Sequence, residues 1–217
     1  MSKKVAIILS GCGVFDGAEI NETVLTALRF DQQGAQVEFF APDITQHHVL
    51  NHLTGEEMPE QRNVLVESAR MTRGQSRDVR ELQAADFDAL IMPGGFGVAK
   101  NLSDFAFKGA DCTVQADTLQ AILQFKEAKK PIGLMCISPV LSAKIFGEGV
   151  QCTIGSDQDT AAAITQMGAA HASCAVDAVV VDQTHRLVTT PAYMLAQSIS
   201  QAAQGINALV DQVLDMA

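Results

Sequence analysis

The stretch PIGLMCISPVL, residues 131–141, decides how the rest of the chain is read. Its first six residues form a continuous apolar run, the pattern of a parallel strand buried on both faces. The run ends in Cys136, and a short helical pattern follows with no linker between them. Pro139 suits a first helical turn, where a missing N–H costs nothing. A cysteine is ordinarily a small core hydrophobe. At a tight strand-to-helix turn it is instead pushed out toward the carboxyl edge of a sheet. Such a thiol also stands near the partial positive charge of a helix N-terminus, which predicts a lowered pKa and a nucleophilic thiolate.

Working outward, the same kind of run recurs between helical patterns. KVAIILS (4–10), QVEFFAP (36–42) and FDALIMPGG (87–95) precede PIGLMC (131–136) as strands. The segment DGAEINETVLTALRFDQQGA between the first two runs predicts a helix. Asp16 with Glu19 gives a capping-box pattern, Ile20, Val24, Ala27 and Leu28 share a face, and Gly34 ends the helix. Further helices fit residues 60–74 and 114–128, the latter with Leu119, Ile122, Leu123 and Phe125 as apolar positions. A short helix follows the cysteine, a strand fits 150–155 and a helix 159–168. Two strands with a turn at DQTH fit 174–191, and the tail is helical from Ala192. Alternating β and α segments predict an α/β fold: a doubly wound, mostly parallel sheet with helices on both faces, formed by residues 1–217 as one domain. The segment 43–58, DITQHHVLNHLTGEEM, is irregular and reads as a functional loop or insertion.

Composition narrows the function. The chain has 217 residues, 47% hydrophobic and 18% charged, with a formal net charge of −10. An acidic surface argues against nucleic acid and anionic membranes as partners. No apolar run approaches the ~18 residues of a membrane span. The apolar N-terminal run is only about a strand long and ends in a glycine turn rather than a cleavage site, so the reading is a cytoplasmic protein. The five cysteines, Cys12, Cys112, Cys136, Cys152 and Cys174, are widely spaced, with no C-x-x-C and no metal-ligand spacing. They read as free thiols, and neither a metal nor a cofactor is implied.

Ligands bind open α/β sheets at the carboxyl ends of the strands. Cys136 belongs there. So does MPGGFG (92–97), whose glycines let backbone N–H groups approach a ligand. The N–H groups of Gly95 and Ile137 could form an oxyanion hole, with Gly94 beside them. Glu19 and Glu22 share a helix face, and either one could serve as a general base aimed at the cleft. The Gly-rich turn SGCGVFDG (10–17) is no phosphate loop, and its Cys12 could approach Cys136, either as a resolving thiol or with no role.

LIMPGGFGVAKNLSDFA followed by KKPIGLMCISPVL resembles the ThiJ/PfpI superfamily, which has a flavodoxin-like, class I glutamine amidotransferase-like fold. LSGCGVFDGAEINE, NHLTGEEMPEQRNVLVESARMTRG and VTTPAYMLAQ extend the likeness over nearly the whole chain, toward a bacterial branch associated with isoprenoid biosynthesis and described as glyoxalase. The resemblance implies a cysteine nucleophile at Cys136 paired with a glutamate on the first helix. Spacing to Gly34 assigns that position to Glu22. It also implies a homodimer. The sequence departs from many relatives by carrying Ile137 where they have a histidine. None of His47, His48, His52, His171 and His185 falls where a cysteine–histidine pair would need it, so protease and glutaminase chemistry lose support. A cysteine and a glutamate suffice for glyoxalase chemistry without glutathione: glyoxal would add to Cys136, and Glu22 would move the protons toward glycolate. The competing readings are a non-catalytic redox sensor using the same thiol, and a regulatory protein influencing isoprenoid biosynthesis.

Overall fold

A computed structural model describes residues 2–217. In chain order the strands are β1 (Lys4–Ile8), β2 (Gln36–Ala41), β3 (Ser76–Asp78), β4 (Ala89–Met92), β5 (Ile132–Met135), β6 (Gln151–Cys152), β7 (Ala170–His171), β8 (Val180–Asp182) and β9 (Leu187–Thr190). The helices are α1 (Ile20–Gln32), α2 (Val64–Met71), α3 (Phe96–Lys100), α4 (Phe105–Lys108), α5 (Ala116–Glu127), α6 (Ser142–Phe146), α7 (Gln158–Gln166) and α8 (Ile199–Met216). Seven strands form one sheet in the order β3-β2-β1-β4-β5-β9-β8. All its neighbours pair parallel except β8 with β9. The chain steps outward through β2 and β3, then crosses back over β1 to β4. That reversal opens a crevice at the carboxyl ends of β1 and β4, the switch point where such sheets bind ligands.

The continuous apolar runs feed both faces. Ala6, Ile8, Leu90, Met92, Ile132 and Leu134 point into one core, which α5 and α6 cover with Ile122, Phe125 and Ile145. Val5, Ile7, Leu9, Ala89 and Ile91 point into the other, covered by Phe30 of α1, Val64 of α2 and Ile206, Leu209 and Val213 of α8. Successive strand residues alternate between the two.

Four expectations need correction. Asp16 does not cap α1. The cap is Glu19, whose carboxylate accepts the Glu22 N–H at 2.6 Å. Asp16 instead accepts the Leu50 N–H at 2.7 Å and anchors the 43–58 segment. The inward face of α1 is not the apolar stripe. Ile20, Val24 and Leu28 are 45%, 51% and 47% exposed, while Glu22, Thr23, Thr26 and Phe30 are buried. Periodicity finds a stripe but cannot say which side of the helix the sheet takes. The tail helix starts at Ile199 under a Ser198 cap. Residues 192–194 form only a short 3₁₀ turn, and Ala192 holds a left-handed φ of 44° that a right-handed α-helix does not accommodate. The strand expected at 150–155 shrinks to β6, which pairs with β7 outside the main sheet.

Candidate active site

β5 is buried throughout, and Cys136 follows it with φ +60°, in the left-handed region. A non-glycine residue held there stores of order 1–3 kcal/mol of strain, which its surroundings must enforce. The Cys136 N–H donates to Thr190 O at 3.0 Å, and the Ser138 hydroxyl donates to Pro93 O at 2.7 Å, so the elbow is tied to β9 and to the loop after β4. The chain beyond is a 3₁₀ turn, Ser138–Leu141, before the five-residue α6.

Glu22 has no exposed surface. Its Oε2 accepts the Gly94 N–H at 2.7 Å and its Oε1 accepts the Tyr193 N–H at 3.2 Å. The carboxylate also pairs with the Cys136 thiol. Burial pushes the Glu22 carboxyl up to about 7, reinforced by the charge of Glu19 and opposed by the N–H groups of Gly94 and Tyr193 and by the thiol. Burial likewise drives the Cys136 thiol well above its ordinary range, and the facing charge of Glu22 adds to this. The Gly95 and Ile137 N–H groups point at the sulfur and work in the opposite direction. The lowered thiol pKa expected from the sequence is therefore overturned. No long helix begins at Cys136, and desolvation outweighs two backbone donors.

Gly94 and Gly95 let the loop after β4 close over this pair. A Cβ on Gly94 would lie 2.4 Å from Cys136 Cβ, 2.8 Å from its sulfur and 2.9 Å from Glu22 Oε2. Gly95, at φ +92°, passes so near the start of α1 that a Cβ would meet Gly17 O at 2.4 Å and Glu19 N at 2.5 Å. Cys136, 7% exposed, is reached from a cavity of about 320 Å³ that Gly95, Ile137 and Tyr193 also line.

The other expected residues are placed as follows. Glu19 adjoins the pair as the cap of α1, buried, its pKa raised by desolvation. Cys12 stands near the charges of Glu67 and Arg70 of α2 and is not among the residues that border the cavity. Among the described residues, no histidine lines the cavity. His171 Nε2 accepts the Ile154 N–H, His185 pairs with Asp182 in the β8–β9 turn, and His47 and His48 stack near Phe107. The 43–58 segment covers the Gly-rich turn: Asn101 Oδ1 accepts the His47 N–H, and His52 Nε2 accepts the Phe15 N–H. Sequence reasoning missed Tyr193, whose N–H reaches Glu22 from the opposite end of the chain. Pro191 within TTPAYML marks a turn, but nothing local says where that turn docks.

A doubly wound sheet with a thiol elbow after β5 and a carboxylate from α1 defines the class: a glutamine amidotransferase-like protein with a flavodoxin-like fold. No protein-family model matches the chain. It is 45% identical over 98% of its length to the rat ES1 protein homolog, mitochondrial, and to the human glutamine amidotransferase-like class 1 domain-containing protein 3, mitochondrial, covering 84% and 83% of them. The crystal structure of an isoprenoid biosynthesis protein with amidotransferase-like domain from Ehrlichia chaffeensis superposes with a TM-score of 0.92 at 36% identity, covering 99% of both chains. A ThiJ/PfpI domain protein from Brachyspira murdochii shares the fold, with a TM-score of 0.60 at 15% identity over 99% of this chain and 97% of that one. The chain belongs to the family of these ES1 and glutamine amidotransferase-like class 1 domain-containing proteins. The expected cytoplasmic location is contradicted, because these curated relatives are mitochondrial proteins by name. Free thiols indicate a reducing compartment, and the cytosol is only one of those.

Proposed function

We propose that the protein is a cofactor-free glyoxalase, converting glyoxal and water to glycolate with Cys136 as nucleophile and Glu22 as acid–base group. The observation that carries this reading is the buried pairing of a thiol with a carboxyl whose pKa lies about 7. The thiol is inert at rest, so activation must accompany substrate binding. As the sulfur adds to one aldehyde carbon, its proton passes to Glu22 and then to the new alkoxide, giving a hemithioacetal. The oxygen of that adduct lies within reach of the Gly95 and Ile137 N–H groups, which face the sulfur in the free protein. Glu22 next removes the hydrogen of the thiolated carbon as a proton, forming an enediol. Returning a proton to the neighbouring carbon leaves a thioester of glycolate on Cys136. Water cleaves it, releasing glycolate and restoring the thiol. A carboxyl near neutrality suits both directions of transfer.

The same geometry weakens the redox-sensor reading. Sensor thiols depend on thiolate character and exposure, and Cys136 has little of either. The protein is further proposed to act as a homodimer joined through the exposed stripe of Ile20, Val24 and Leu28, because one continuous apolar face on a surface helix is the kind of patch that second copies cover. The activity is tested by following glycolate formation from glyoxal. The wild type should turn over, and C136A should be inactive. Equal glyoxal consumption by wild type and C136A would refute the assignment.

A further inference from the structure

Glyoxal has four heavy atoms, and the space above Cys136 is much larger than that. Its volume of about 320 Å³ equals that of roughly ten water molecules and falls at the lower end of pockets that enclose drug-sized ligands, roughly 300–1,000 Å³. The walls are almost entirely apolar: Val14, Phe96, Ala99, Phe105, Ile137 and Met194. Among the described residues, no lysine, arginine or histidine lines them. The charged group at the rim is Asp157, which caps α7 through the Thr160 N–H and whose pKa is lowered by the Thr160 hydroxyl and then by that N–H. Water in such a cavity finds few partners, so an apolar group that displaces it gains affinity. A carboxylate or phosphate on the substrate would meet no cation and would face Asp157.

We infer that the substrate class is an uncharged 2-oxoaldehyde carrying an apolar arm of roughly phenyl size, which occupies the cavity while the aldehyde carbon meets Cys136. This rests on the catalytic reading above and extends it to specificity. The arm is held by burial alone, and each buried methylene is worth about fourfold in kcat/KM. Anionic carbonyl compounds such as glyoxylate are excluded by charge.

The test compares phenylglyoxal with glyoxal, following mandelate and glycolate respectively, and measures binding of unreactive acetophenone to C136A protein by calorimetry. The expected result is a kcat/KM at least tenfold higher for phenylglyoxal, with saturable acetophenone binding. Ala106 lies exposed at the cavity rim, so A106W narrows the entrance at a position outside the core and should lower the phenylglyoxal-to-glyoxal ratio at least fivefold. D157N, which keeps a helix-capping side chain, should admit glyoxylate better than wild type. Turnover of glyoxal with equal or slower turnover of phenylglyoxal overturns the inference and leaves the glyoxalase reading standing. Turnover of neither dicarbonyl, with acetophenone still bound, overturns the catalytic reading but keeps the apolar site. Absence of both turnover and binding overturns both.

Discussion

Cys136 and Glu22 are each costly to place where they are. One is a non-glycine residue at φ +60°, the other a carboxyl without solvent. The cost of the second can be measured. An unfolded glutamate ionises near its ordinary 4.5, whereas Glu22 in the folded chain ionises at about 7. Below 4.5 both states hold the proton and the group contributes nothing. As pH rises from 4.5 through 7, the unfolded state releases its proton first and the fold is penalised, by up to about 3 kcal/mol. The difference in unfolding free energy between E22Q and wild type should therefore move in favour of E22Q from pH 5 to pH 8. Urea melts of both proteins at the two pH values check this, and a pH-independent difference would contradict a buried, raised carboxyl. Gly94 makes a second case. G94A forces a Cβ against Cys136 Cβ, which has no flexible end to yield, and should cost ~100-fold in kcat/KM, the usual effect of a ~1 Å displacement in a reacting pair. The position of the thiol was legible from PIGLMC running into a turn, while the residues alone left Glu19 and Glu22 both open and only the family resemblance, aligned at Gly34, pointed to Glu22. The sign of the thiol shift was not legible, because it depends on what closes over the sulfur, and Gly94 and Tyr193 are brought there by tertiary packing.

At the scale of elements, the strands β1, β2, β4 and β5 could be read directly, since burial on both faces leaves an uninterrupted apolar run. β3, with the polar sequence SRD, and the two-residue β7 carry no such signal. α1 misleads periodicity because its inner face serves the site as well as the core: Glu22 meets the thiol there and the Thr26 hydroxyl meets Met135 Sδ at 3.7 Å. The 43–58 segment, irregular in sequence, is held down by specific bonds. Buried Asn101 at the end of α3 donates to Ser10 O and Asp16 O, both at 2.9 Å, and accepts the His47 N–H. N101A leaves those backbone groups without their partner and should lower stability by about 3 kcal/mol, read as a shift in thermal midpoint. Loss of less than about 1 kcal/mol would mean that water replaces the side chain.

For the whole molecule, the topology brings together groups distant in the chain. Residues from α1, the loop after β4, the end of β5 and the turn after β9 converge at one edge of the sheet, so the site forms only when the sheet does. The exposed stripe of α1 lies on the outer face of the helix that supplies Glu22. Sedimentation should show a wild-type dimer and a monomeric V24E, whereas a monomeric wild type would remove the proposed interface. The central claim is that a thiol inert at rest is activated by a carboxyl poised near neutrality. The most direct test is the pH dependence of kcat/KM for glyoxal in wild type and E22Q. The account predicts a wild-type rate that rises with pH through an apparent pKa near the Glu22 value of about 7. It predicts an E22Q rate lower by roughly 10²–10⁴-fold and lacking that rise. An E22Q protein as fast as wild type, with the same pH profile, would contradict it.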